Sequence, residues 1–544
     1  SFPGESTSSL VDWSLQSNRF VNPTCSSVND SKCTSNSLNY SAVLPTCKSD
    51  EEKYCLEEFG LIAKTGEKSK GTYTRNFPKR VQNGYPAAPE LNLPEGSTGS
   101  LFSLPQATHA GGDLYYISVL AEGDVNRNSG AVLGRFSVRL APVALQTDWA
   151  INGQDEAGWS METDGGSGHP IGMWRQAGYG FSGNSYCVAG SAAERLCAQR
   201  YAFPGDTKFF IKVRMQLAPS GWMHGRIYNP DISLTGVPGK YTLEVAAYPV
   251  AVPVVYKMYR YPEMPQALKD QYDYTTGNYK PEIVGWSRER IQDTLNGGCG
   301  RSACSPNPMT RNKMIQPSPS DPLGMEQLKL WLPFVNDKAA ALLGTWSMRT
   351  LDWNESNGAS QCFTNGSSGI TGIVTTNATQ YLAGPPKLNT SDQALEYKVG
   401  APHLTTKGDV FYGTYDLLMR SDVARCVYGF SNAPIKGTIS VTSDTGEQKI
   451  ATEQIKESNG WVSLSANGFT YSQPTILVKL SQEKIEVSKE EPPKVATEAP
   501  KTTAVATNSQ IVVPKKQSIT CTKGKVTKKV VAVKPKCPTG YKKK

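Results

Sequence analysis

Hydrophobic and polar positions alternate with a period of two along much of this chain, and that period predicts strands. It is clearest in Ala131-Val-Leu-Gly-Arg-Phe-Ser-Val-Arg-Leu140, where Phe136, Val138 and Leu140 alternate with Arg135, Ser137 and Arg139. Leu114-Tyr-Tyr-Ile-Ser-Val-Leu120 and the stretches 208–215, 240–246 and 252–258 carry the same β-branched and aromatic bias. Further on, 437–443 leads through Asp444-Thr-Gly446 into another strand. Asn459-Gly460 then turns into Trp461-Val-Ser-Leu464, and Thr475-Ile-Leu-Val-Lys-Leu480 closes the series. Helical signals are few, at 263–272 and 287–295. Strands at this spacing with turn residues between them predict a mainly β chain of two or more sandwich-like domains.

Composition shifts divide the chain further. Residues 1–58 are rich in Ser and Asn, hold four Cys and show little periodicity, which predicts a loop-rich segment pinned by disulfides. A β-rich domain with Trp- and Gly-rich loops is expected over 59–296, a Ser/Pro-rich connector over 297–322, and a second sandwich-like domain over 323–480. Residues 481–510 are rich in Glu, Lys, Pro, Thr and Ala without an aromatic residue, the composition of an extended disordered linker. The opening Ser1-Phe-Pro-Gly-Glu reads as a mature N-terminus left by cleavage, or as the start of a trimmed chain. No apolar run is long enough to cross a bilayer.

Twelve Cys fall as neighbours: Cys25/Cys33, Cys47/Cys55, Cys187/Cys197, Cys299/Cys304, Cys362/Cys426 and Cys521/Cys537. No Cys-x-x-Cys occurs, so zinc ribbons and thioredoxin-type sites lack their signature. The even set predicts structural disulfides and an oxidising compartment, with nearest-neighbour pairing as the simplest connectivity.

Charge changes the picture more than composition does. Residues 481–544 hold 15 Lys and 5 Glu, a net of +10, whereas the other 480 residues carry 42 basic and 43 acidic groups, a net of −1. The body therefore offers no electrostatic footprint for nucleic acid. The positive charge is concentrated in 511–544, where Cys521 and Cys537 bracket a basic, β-branched segment that reads as a small disulfide-closed module. Lys523, Lys525, Lys528, Lys529, Lys534, Lys536, Lys542, Lys543 and Lys544 are the candidates for attachment to a polyanion, such as an anionic cell-wall polymer or polysaccharide.

The pattern Cys521-x-Lys-Gly-Lys-x-x-Lys-Lys529, followed by Lys534-Pro-Lys-Cys-Pro-x-Gly-Tyr-Lys-Lys-Lys544, resembles the terminal tail of many secreted proteins of actinobacteria. Within 327–480, Trp331-Leu-Pro-Phe-Val-Asn-Asp-Lys338 and Asp444-Thr-Gly-Glu447 resemble segments of large, uncharacterised surface proteins of the same group. The resemblance implies a location at the cell envelope and no particular activity.

No catalytic motif in the sequence is strong. Gly165-Gly-Ser-Gly-His169 and Gly180-Phe-Ser-Gly-Asn184 both miss the last glycine of a nucleophile elbow. The four His (His109, His169, His224, His403) are isolated and read as structural, and no His-x-His or His-Glu-x-x-His supports a catalytic metal. Calcium is the metal to consider, at Asn152, Asp155, Glu156, Glu162 and Asp164, although without the Asp-x-Asp-x-Asp-Gly spacing the cluster reads as a solvated acidic loop. The Trp-rich stretch 148–224 is the candidate for glycan stacking through Trp149, Trp159, Trp174 and Trp222, set against a core role for the same rings. Asn354, Asn365, Asn377 and Asn389 open glycosylation-type sequons. These readings lead to a secreted, envelope-associated structural or adhesive protein. The alternatives are a secreted glycoside hydrolase with an unidentified carboxylate pair and a self-assembling coat subunit.

Overall fold

The structure is a computed structural model. It describes residues 8–12, 23–79, 83–146, 159–163, 170–176, 187–191, 194, 196–255, 257–260, 265–272, 312–315, 324–351, 355, 362, 369–382, 384–391, 394–429, 435–442, 448–450, 456–471, 475–482, 517–523, 526–532, 537 and 541–543. The strands in order are β1 (Ser9–Val11), β2 (Ser37–Val43), β3 (Cys55–Ile62), β4 (Lys68–Lys70), β5 (Thr72–Phe77), β6 (Gly99–Ser103), β7 (Leu114–Asn126) and β8 (Gly130–Gln146). Then come β9 (Trp159–Thr163), β10 (Pro170–Gln176), β11 (Cys187–Ser191), β12 (Leu196–Arg200), β13 (Lys208–Met215), β14 (Gly221–Val237), β15 (Lys240–Val254), β16 (Lys257–Arg260) and β17 (Asn312–Ile315). The later strands are β18 (Ala341–Thr350), β19 (Ile370–Thr376), β20 (Gln380–Tyr381), β21 (Lys387–Asn389), β22 (Ala394–Gly400), β23 (Tyr412–Arg420), β24 (Ile435–Thr442), β25 (Gln448–Ile450), β26 (Lys456–Ser458), β27 (Trp461–Thr470) and β28 (Thr475–Gln482). A terminal group follows, β29 (Gln517–Lys523), β30 (Val526–Ala532) and β31 (Lys542–Lys543). The described helices are short: α1 (Gln266–Tyr272), α2 (Gly324–Trp331) and α3 (Ser421–Tyr428). None is long and apolar enough to cross a membrane.

The chain is mainly β, as its alternation predicts. One long sheet runs β5-β6-β7-β8-β18-β14-β19-β23-β27-β26, antiparallel throughout except for the parallel pair β14–β19. A second sheet, β4-β3-β13-β15 with the far half of β14, covers one part of it. The first core lies between them, and Phe59 meets Phe102 at 5.6 Å and Tyr115 at 5.4 Å. A third sheet, β20-β22-β28-β24-β25, faces β19, β23 and β27 over the second core, where Tyr397 meets Tyr415 at 5.4 Å. Each fully buried aliphatic or aromatic side chain in these layers contributes about 1.5–3 kcal/mol.

The two cores meet on opposite faces of the same strands. In β14, Met223 enters the first core and Trp222 the second; in β19, Ile373 and Val374 divide likewise. β14 bends between its two sheets at Asn229, which takes a left-handed φ of 48° where the register with β15 slips. Residues 1–484 accordingly form one compact unit, and the stretches 59–296 and 323–480 are joined by strand pairing rather than separated by a linker. Residues 485–544 form a second unit, whose described part is the three-stranded order β30-β29-β31.

Several local expectations are revised. The segment 1–58 carries strands: β2 pairs with β7 along seven residues, and Leu38, Tyr40 and Ala42 are buried while Ser and Asn occupy the alternate positions. Ser37-Leu-Asn-Tyr-Ser-Ala42 alternates regularly, a period that the Ser- and Asn-rich composition of the surrounding segment obscures. The helix expected at 263–272 starts at Gln266, because proline disfavours helical backbone in the residue before it and Pro265 precedes the helix. Within the connector 297–322, Asn312–Ile315 pairs with β16. Of the linker expected over 481–510, Ser481 and Gln482 pair within β28 instead; the helix expected at 287–295 and residues 483–510 lie outside the described residues.

Disulfides join Cys25–Cys33, Cys47–Cys55 and Cys362–Cys426, as nearest-neighbour pairing predicts. Cys197 and Cys537 are also disulfide-bonded. The side chains of Cys187, Cys299, Cys304 and Cys521 lie outside the described residues. Each of the two short loops is also held by an arginine. Arg127 donates to the carbonyls of Val28, at 2.8 Å, and Cys33. Arg214 donates to the Ser49 carbonyl at 2.9 Å and to Glu57 at 3.2 Å.

Candidate functional site

The sequence nominates the Trp-rich stretch and the Lys-rich tail. Trp149 lies outside the described residues, as do Asn152, Asp155, Glu156 and Asp164 of the calcium candidate; Glu162 is placed by its backbone in β9. Trp159 and Trp174 sit on the β9–β10 hairpin, in register with Gln176 and Met161. Trp222 is corrected to a core residue. It is 4% exposed, and its indole lies so close over Gly372 that a Cβ there would stand 2.5 Å from the ring. A ring sealed in this way presents no face to a sugar.

In the tail, Lys528 and Lys543 flank Cys521 from the two neighbouring strands, Lys529 is opposite Thr520, Lys542 is opposite Thr522, and Lys523 is opposite Val526. Lys542 is exposed. Lys525, Lys534, Lys536 and Lys544 lie outside the described residues. A small antiparallel sheet thus carries at least five of the nominated lysines on its strands.

The histidines resolve into three structural settings, with His169 outside the described residues. His109 spends both nitrogens on backbone: Nε2 donates to the Leu114 carbonyl at 2.9 Å, and Nδ1 accepts from Gly111 N–H at 3.1 Å. Burial lowers its pKa, in keeping with the neutral ring this pairing requires. His403 is half-exposed and meets Asp337 through Nδ1, and its backbone N–H donates to the same carboxylate at 2.9 Å. This pair fastens Asn336 and Asp337, both left-handed, to the segment before β23.

His224 belongs to a buried polar cluster that the sequence reading missed. It lies in β14 opposite Arg349 of β18 and beside Val374 of β19. Its ring stacks on Tyr381 of β20 at 3.6 Å, 7° from parallel. Arg226, two residues on and on the same face, sits 4.7 Å from the Tyr381 ring and donates to the carbonyls of Thr376 at 3.0 Å, Ala378 and Thr379 at 3.3 Å. Arg349 makes a two-pronged pair with Glu355 at 2.7 and 2.6 Å and donates to the Tyr381 hydroxyl at 3.2 Å. Burial pushes the His224 pKa far down, and the two guanidiniums push it further. Burial also lowers Arg226 and opposes the charge of Arg349, but the Glu355 hydrogen bonds outweigh it and hold Arg349 raised. The only signal in the sequence was Trp222, His224 and Arg226 at alternate positions, a row that mixes apolar and basic residues.

On the other face of β23, buried Asp416 accepts from Thr375 Oγ1 at 2.8 Å, Ser465 Oγ at 2.5 Å and Asn229 N–H at 2.9 Å. Asn377, the asparagine of one sequon, is 6% exposed; it donates to the Tyr412 carbonyl at 3.0 Å and accepts from the Tyr471 hydroxyl at 2.6 Å. It is a crossover strut, closed to modification in the fold. Among the described residues one Cys/Glu group has metal-ligand spacing, Cys47, Glu52 and Cys55, but its two sulfurs are bonded to each other. These arrangements hold sheets together, and none pairs a nucleophile with a base. No protein-family model, curated protein or solved structure matches the chain.

Proposed function

We propose that this is a secreted, envelope-associated structural or adhesive surface protein, held through its cationic tail on an anionic cell-wall polymer. The observation that carries the reading is the segregation of charge: a net of +10 over 481–544 against −1 over the other 480 residues. A sheet bearing Lys528, Lys529, Lys542 and Lys543 on neighbouring strands supports it, because charges fixed on one small scaffold attract a polyanion more effectively than charges spread along a coil. The disulfides fit an oxidising, extracellular setting. Among the four nominated Trp, Trp222 no longer supports the glycan-stacking reading.

Co-sedimentation with purified cell walls tests the proposal, comparing the full chain with residues 1–484, a cut placed after the end of β28 and of the first compact unit. Binding that requires the tail and weakens as salt rises supports electrostatic attachment. Equal, salt-resistant binding by both forms overturns it and transfers recognition to the β body.

A further inference from the structure

We propose that His224 is an acid-sensitive latch that holds the third sheet closed over the long one. The geometry gives it that position. His224 and Arg226 project from β14 in the long sheet, and Tyr381 belongs to β20, which pairs with Val399 of β22 in the facing sheet. Arg226 is bound to the carbonyls of 376, 378 and 379, the crossover that carries the chain from one sheet to the other. The stack on Tyr381 and the three carbonyl bonds therefore act on one joint.

Arg226 and Arg349 act on the imidazole directly, and the buried hydroxyls of Tyr397 in β22 and Tyr471 interact with the Arg226 guanidinium beside it. Arg226 comes from β14 itself, Arg349 from β18, Glu355 from the turn beyond β18, and Tyr381 from β20; β19 contributes the apolar Val374. Asp416 lies on the opposite face of β23, with Thr375. The one carboxylate, Glu355, is held in two bonds by Arg349. A proton on His224 makes a third buried cation beside one anion. Its buried Nε2 makes no hydrogen bond among the described residues. A buried cation without a partner is strongly destabilising, and the open joint, where the imidazolium meets water, relieves it.

The sign follows from linkage. A histidine whose folded-state pKa lies below its unfolded value of about 6.5 contributes stability that is present above that pH and lost as pH falls. Opening at the joint should increase about tenfold per pH unit below about 6.5.

Hydrogen exchange on the full chain between pH 7.5 and 4.5 tests this, with rates corrected for the intrinsic pH dependence of exchange. In the wild type, amides of 374–382 lose protection at that slope, while those of the β7–β8 hairpin keep theirs. His224→Phe, which preserves a stacked ring and cannot protonate, should hold 374–382 closed across the range. Equal loss in wild type and variant, or no loss in the wild type, overturns the proposal. If His224→Phe does not fold, NMR of histidine-labelled wild type decides: the His224 ring should protonate together with the loss of protection. Protonation without opening, or opening while the ring stays neutral, refutes the latch.

Discussion

At the scale of single residues, the buried charges show how burial and hydrogen bonding compete. Asp416 receives three hydrogen bonds, each favouring the carboxylate, yet burial outweighs them and its pKa is raised. A carboxyl raised in the folded state contributes stability that is complete below the unfolded pKa of about 3.9 and is lost as pH rises through the folded value. Asp416→Asn removes that titration. The stability gap between wild type and variant should therefore shift in favour of the wild type on acidification from pH 7 to pH 4, as read from urea midpoints. A gap independent of pH would show that Asp416 is ionised throughout. Exposed pairs such as Arg420–Asp422 drop out of this comparison, because they are the same in both proteins. None of this was legible in the sequence. A period-two row shows that Asp416 and His224 stand on a strand face, but not whether that face meets water, a second sheet or three donors.

At the scale of elements, legibility followed how many faces of a strand are buried. β8 is legible because polar residues recur along it and Phe136, Val138 and Leu140 mark the inner row, whereas β7, buried from Tyr115 to Val119, is legible only through its β-branched and aromatic bias. β19 is buried at all seven positions and lies between two cores, so Ile370–Thr376 shows no alternation and was passed over. The short disulfide pairs were legible from spacing alone, and their energetic order follows from loop length. Cys25–Cys33 and Cys47–Cys55 each span 8 residues, and Cys362–Cys426 spans 64. The chain-entropy argument assigns the short loops about 2.5 kcal/mol and the long one about 4 kcal/mol. Double Cys→Ser replacement at 362 and 426 should thus lower stability more than the same change at 25 and 33, measured by urea denaturation. The reverse order would mean that the contacts Arg127 makes to the first loop depend on its disulfide more than loop length suggests.

At the scale of the whole molecule, the body's two cores cannot be separated along a linker, because β14, β19 and β23 serve both. Opening the second core exposes Trp222 and Val374 and loosens the strands that carry Met223 and Ile373 into the first. Strand sharing of this kind couples the layers, and coupled layers unfold together. Leu243→Ala strikes the first core and Leu464→Ala the second, both at positions no more than 1% exposed. Each should cost about 2–5 kcal/mol and displace one common urea transition, with far-ultraviolet circular dichroism and tryptophan fluorescence remaining coincident. If Leu464→Ala instead splits off an earlier transition that leaves the first core intact, the shared strands do not transmit stability. The body would then behave as the two domains that the composition of 297–322 suggests.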